Sequence, residues 1–230
     1  MNTQNIWLLI AAAVNLLMCL IILSRGVKNS KINLYFSLVA FFTFLWTCVL
    51  IIPNLGVSYE LIRFSEALSC PTGLLIIVCL YMFILNFPYK SFDISKRTKI
   101  FLASSVLWTI VFYLFFYQFS VPNIEIAPDH VIASFEWYSY TLFTLNFLIL
   151  VFMSIVLLVK KYRTTDGIYK SQLKFILAAV IIGALVSSYA NLLLVYAYDV
   201  RYTHLGPLST LLINFVVFYF IFSPKEKTNA

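Results

Sequence analysis

Seven runs of apolar residues, separated by short polar stretches, dominate the hydropathy pattern of the chain. They cover roughly residues 5–24, 32–53, 59–87, 99–119, 135–159, 171–198 and 203–222. An α-helix rises about 1.5 Å per residue, so about 20 apolar residues cross the hydrocarbon core of a bilayer. Every run meets that length. The period-2 alternation of a membrane barrel strand is absent, and the runs are too long for such strands. The pattern predicts an all-α integral membrane bundle of seven transmembrane helices, forming one domain over residues 1–230. Pro53, Pro88 and Pro224 sit at or just past run ends, where they stop a helix cheaply. Pro71 lies inside the third run and predicts a kink or strong tilt there.

The connections are short except for the fourth. There, residues 120–134 include VPNIEIAPDHVIAS, two β-prone stretches either side of Ala127, Pro128 and Asp129. That segment fits a small hairpin lying over the bundle or an irregular loop around a Pro-Asp turn.

Composition agrees with the pattern. Of 230 residues, 62% are hydrophobic and 11% charged, against about 45–50% and 25% in soluble domains. Such a chain cannot hide its apolar surface inside a water-soluble ball. A soluble enzyme, a nucleic-acid-binding domain and a disordered linker are therefore excluded, and the lipid bilayer is the first expected partner.

The net charge of +7 changes the picture by its placement. Arg25, Lys28, Lys31, Lys90, Lys96, Arg97, Lys99, Lys160, Lys161, Arg163, Lys170, Lys225 and Lys227 all fall after odd-numbered runs, and Lys174 lies close by. The opposite face carries only Arg63 and Arg201, against Glu60, Glu66, Glu125, Asp129, Glu136 and Asp199. By the positive-inside rule the N-terminus is expected outside and the C-terminus in the cytosol of a cell with this chain in its plasma membrane. The first run has no basic residue before it and no small-x-small cleavage site after it, so it reads as an uncleaved helix.

Candidate chemistry is sparse. Cys19, Cys48, Cys70 and Cys79 lie inside apolar runs and read as small buried hydrophobes. His130 and His204 lack ligand-spaced partners, and no glycine-rich phosphate loop exists. The last run has no lysine for a retinal Schiff base. No catalysis, metal or cofactor is expected. Charged residues at membrane depth are costly and functional by default. By depth, Arg63, Glu66, Glu136 and Asn191 are candidates to line an outward-facing, ligand-binding pocket; the alternative is an Arg63–Glu66 pair at headgroup level. Asn146 and Asn214 are further polar interruptions. Ala179, Gly183, Ser187 and Asn191 recur at four-residue spacing, which suits close packing within the bundle better than a dimer face.

The last third carries the motifs. EWYSYTLFTLNFLILVF is followed by KKYRTTDGIYKSQLKFIL, with Gly167, Lys170, Gln172, Leu173 and Lys174, and by HLGPLSTLL, with Gly206, Pro207 and Leu208. In these features the chain resembles the N-terminal seven-transmembrane region of bacterial sensor histidine kinases. The resemblance implies a sensory input domain that passes an extracellular or bilayer signal to a cytosolic signalling module or kinase. The chain ends eight residues after Phe222, so that module is expected in cis beyond this chain or in trans. An unknown small ligand and a second copy of the chain are the remaining expected partners. The competing readings are a non-catalytic membrane subunit and a small seven-helix transporter.

Overall fold

The computed structural model describes residues 3–26, 30–90, 92–126, 131–197 and 202–222. Its long helices are α1 (Thr3–Ser24), α2 (Lys31–Ile51), α3 (Tyr59–Asn86), α4 (Lys96–Phe115), α6 (Trp137–Thr164), α7 (Gly167–Ser188) and α9 (Leu205–Phe222). Short pieces complete them: α5 (Tyr117–Ser120), strands β1 (Asn123–Ile126) and β2 (Val131–Ser134), and α8 (Leu194–Tyr196). Seven helical segments among the described residues are long and apolar enough to cross a membrane. The all-α class holds, with the hairpin as its one β element among the described residues.

Local signals set the boundaries. Ser30 and Ser95 accept from the backbone N–H groups of Asn33 (3.2 Å) and Thr98 (3.1 Å) and so cap α2 and α4. Such caps satisfy N–H groups that the first turn leaves unpaired. α2 tightens into a 3₁₀ turn at Ile52–Leu55 and stops at Gly56, whose φ of 67° lies in the left-handed region. The boundaries depart from the expected runs in two places. The fourth helix ends at Phe115, with α5 as a separate turn, and α6 runs on to Thr164. Hydropathy ends the fifth run at its first lysine, whereas a helix continues through basic residues that suit its C-terminal dipole.

α3 is the central helix. Its most apolar window is 72% buried, against 22% for α4, which packs on the outside. α3 stays a single helix through Pro71. Beside that proline, the Thr72 hydroxyl donates to the Leu68 carbonyl at 2.9 Å and the Ser69 hydroxyl to the Glu66 carbonyl at 2.6 Å. Hydroxyls of this kind occupy carbonyls that a proline disturbs.

The outward surface is apolar: Leu17, Leu20, Leu107, Phe152, Leu185 and Phe215 are all exposed. Polar contacts instead point inward, between helices. Asn214 donates to Asn15 at 2.6 Å, joining α9 to α1, and Ser105 donates to Asn146 at 2.9 Å, joining α4 to α6. The β1–β2 hairpin is antiparallel with Asn123 opposite Ser134. Its turn, including Pro128, Asp129 and His130, lies outside the described residues, as do Tyr198–Arg201 and the tail with Pro224, Lys225 and Lys227.

Candidate site: a cavity at the hairpin end

The bundle encloses a cavity offering about 130 Å³ to the centre of a water-sized sphere. One water needs about 10–15 Å³, so the space takes a small organic molecule. Its walls come from α1, α2, α3, α6, α7, α8 and α9 and from the hairpin. Trp46 and Leu50 stand on α2, Gly73 and Ile77 on α3, Phe143 and Phe147 on α6, Val180 and Ala184 on α7. Ile213 closes it from α9, and Val131 and Ala133 from β2. Polar groups gather in the same wall: Asn54, Glu66, Ser69, Tyr140, Ser187 and Asn191.

Of the four residues expected at a pocket, two line it. Glu66 lies seven residues beyond Tyr59, which is about 10 Å along the axis. It is half-buried and is the one ionisable carboxylate or cation among the described lining residues. Among the described residues its carboxylate makes no hydrogen bond and no ion pair. Asn191 is the other. Its side chain sits against Gly206, where a Cβ would come within 2.1 Å of Nδ2.

Arg63 and Glu136 do not line the cavity, and both are occupied elsewhere. The Arg63 guanidinium donates to the Tyr59 hydroxyl (3.2 Å) and the Pro122 carbonyl (3.3 Å), and pairs with Glu60 at 3.6 Å. It therefore straps the hairpin connection to α3 instead of pairing with Glu66. Tyr59 completes the strap by accepting from the Ile124 backbone N–H at 3.2 Å. Glu136 precedes α6 and accepts from the Ser139 N–H at 2.9 Å; it is a helix cap. Both tasks draw on partners that depth along a helix does not reveal.

One feature of the wall, a widened turn, carries no signal in the sequence. Over Tyr189–Leu193 the sixth segment widens into a π turn between α7 and α8. A π turn shifts backbone carbonyls off their usual donors and is common at functional sites. Here the Tyr140 hydroxyl donates to the Asn191 carbonyl at 2.7 Å, with the Tyr140 ring stacked on Phe135 at 4.8 Å between centroids. Beneath it, the small-residue series packs against α9, as its spacing suggested. Ser187 and Ser209 share a hydrogen bond of 2.8 Å, Ser209 also reaches the Gly183 carbonyl at 3.2 Å, and a Cβ on Gly183 would meet Ile213 at 2.7 Å.

At the far, basic end lies a second buried polar centre that composition hid. Lys161 has no exposed surface. Its ammonium donates to the carbonyls of Leu85 (2.8 Å), Phe87 (2.7 Å) and Tyr89 (2.8 Å). These three acceptors lie at and beyond the C-terminus of α3, where carbonyls lack helical donors and the dipole favours a cation. Sequence reasoning had counted Lys161 among the loop charges. Next to it, Lys160 lies 4.1 Å above the Phe92 ring, so the same turn of α6 pins the following loop. Lys90 and Asp93 form an exposed ion pair in that loop, and the Lys90 ammonium holds the Asp93 carboxyl below its ordinary range.

No protein-family model matches the chain, and no curated protein sequence matches it.

Proposed function

We propose that this protein is the sensory input domain of a membrane receptor, with the hairpin end outside and the basic end in the cytosol. Its cavity receives a small ligand, and the helices around it pass the change to a cytosolic module. The observation that carries this reading is the cavity itself, bounded by α3, by the π turn and by the packed α7–α9 pair. A ligand there touches a central helix and a locally widened one together, and so has a way to bias two packings of the bundle. The concentration of basic residues at the opposite end supports the orientation. The resemblance of the last third to sensor-kinase membrane regions supports the class.

The transporter alternative calls for discontinuous helices at mid-membrane. It finds less support, because α3 continues through Pro71 and Pro207 stands within the first turn of α9. The test is a fusion of the whole chain to a histidine-kinase output module, read by autophosphorylation in membranes. Asn191→Ala and Tyr140→Phe are expected to shift the basal phosphorylation level several-fold at equal membrane abundance. Unchanged output in both variants would remove the cavity from the signalling path. Substrate flux through liposomes holding this chain alone would favour the transporter.

A further inference from the structure

The cavity wall is mainly apolar and aromatic, its described polar groups are neutral except for one carboxylate, and that carboxylate is unmatched among the described residues. Arg63, three residues away, is committed to Tyr59, Glu60 and Pro122. An ionised group in a partly desolvated site costs free energy until a counter-charge arrives. Trp46, Tyr140, Phe143 and Phe147 line the same space, and aromatic faces attract cations. We propose that the cavity binds an organic cation, a protonated amine on an apolar ring-sized body, with its ammonium against Glu66. The inference rests on the cavity being a ligand site, and it names the class of ligand.

Other occupants fit less well. A bare metal cation of the hard type needs about six to eight oxygen ligands, and the wall offers one carboxylate among mainly hydrocarbon groups. An anion would meet like charge with no cationic side chain among the described lining residues. A neutral molecule would bring no counter-charge to Glu66.

The experiment uses the full chain in nanodiscs of zwitterionic lipid, titrated calorimetrically at pH 7. The probes are 2-phenylethylamine, which is protonated there, and 2-phenylethanol, its neutral analogue of nearly equal size. A charge-assisted hydrogen bond to a carboxylate is worth a factor of about ten or more in affinity. The amine is expected to bind about tenfold tighter than the alcohol. Glu66→Gln is expected to erase that difference by weakening amine binding, with its cooperative thermal unfolding reporting that the variant is folded. Ser69→Trp, which fills the space, is expected to abolish both.

Equal binding of amine and alcohol to the parent would overturn the cation inference and leave the ligand site standing. Amine selectivity that survives Glu66→Gln would overturn it as well. Binding of both probes that survives Ser69→Trp would place them outside the cavity and overturn the inference together with the site. Binding of neither probe to the parent would do the same.

Discussion

Among the described residues, Lys161 near one end of this bundle and Glu66 near the other differ in how far the fold satisfies their charge. Lys161 at the basic end has three donors and three carbonyl acceptors, all within 2.8 Å. Glu66 at the hairpin end faces an open cavity and makes no hydrogen bond among the described residues. Burial of a charge is costly in both cases. The lysine has that cost offset inside the fold, so its role ends with structure. The carboxylate has no such compensation among the described residues, so a bound cation, water or a proton is left to supply it. Saturation, more than burial, separates a structural charge from a candidate binding charge.

The largest test of that contrast is Lys161→Met. The substitution keeps an unbranched apolar stem and strips the donors from three carbonyls at the end of the central helix. Breaking a buried charged contact and leaving its partners unpaired costs about 3–5 kcal/mol. A matching fall in the thermal or denaturant stability of the purified protein is expected, along with detachment of the loop that follows α3. Lys161→Arg should recover little, because a planar guanidinium cannot place its donors where a tetrahedral ammonium does. Parent-like stability of Lys161→Met would mean that the carbonyls find other donors, and the contrast would break.

Gly206→Val comes next. A Cβ at Gly206 would stand 2.1 Å from Asn191 Nδ2 and 2.7 Å from Trp46 Cη2, so the Asn191 side chain on the π turn and the Trp46 ring on α2 would both have to give way. Overpacking of this kind costs about 1–3 kcal/mol. Gly183→Ala should cost less, since its nearest neighbour is the terminal methyl of Ile213, which can rotate. Both variants also reshape the cavity wall. Stability equal to the parent in Gly206→Val would show that the α7–α9 contact is looser than its distances imply.

These residues mark how far the sequence could be read. Seven helices were legible because lipid-facing and core-facing positions are both apolar, so each crossing appears as an unbroken run. Glu66 was legible for the same reason: a carboxylate stands out inside such a run. Asn191 stood out by the spacing of small residues before it. Lys161 was not, because it sits in the basic cluster KKYR and its acceptors are backbone carbonyls 72–76 residues earlier. Backbone groups leave no trace in a sequence. The π turn was hidden likewise, being a change in hydrogen-bond register with no residue type of its own. Arg63 and Glu136 both lie at the hairpin end, yet the groups that hold them include the main-chain Pro122 carbonyl and the Ser139 N–H, which again leave no trace in a sequence.

Glu66→Gln is the mirror of the lysine test, with the opposite sign. It removes a charge that nothing in the described fold compensates and keeps the side-chain shape. Stability is therefore expected to stay level or rise by about 1 kcal/mol, even as selectivity for an amine is lost. The same unfolding assay that reports the loss in Lys161→Met checks it. A loss of more than about 2 kcal/mol would reveal that Glu66 is held by the fold after all, and the two ends would no longer differ.

The smallest effect belongs to a charge that has a partner but is not buried. Asp93 is fully exposed, and Lys90 depresses its carboxyl below the ordinary value. A depressed carboxyl stabilises the fold above its unfolded-state value, and the contribution disappears as pH falls through the folded one. The change is thus confined to acid near and below the ordinary carboxyl value of 3.8, and nothing should move between pH 7 and pH 5. Water competes for an exposed pair and salt screens it, so such pairs contribute little. Asp93→Asn is expected to leave the midpoint of unfolding unchanged at pH 7, at both low and high salt. A clear salt-dependent loss would show that pairing matters here even where water is free to replace it. The rule drawn from Lys161 and Glu66 would then have to include exposed charges as well.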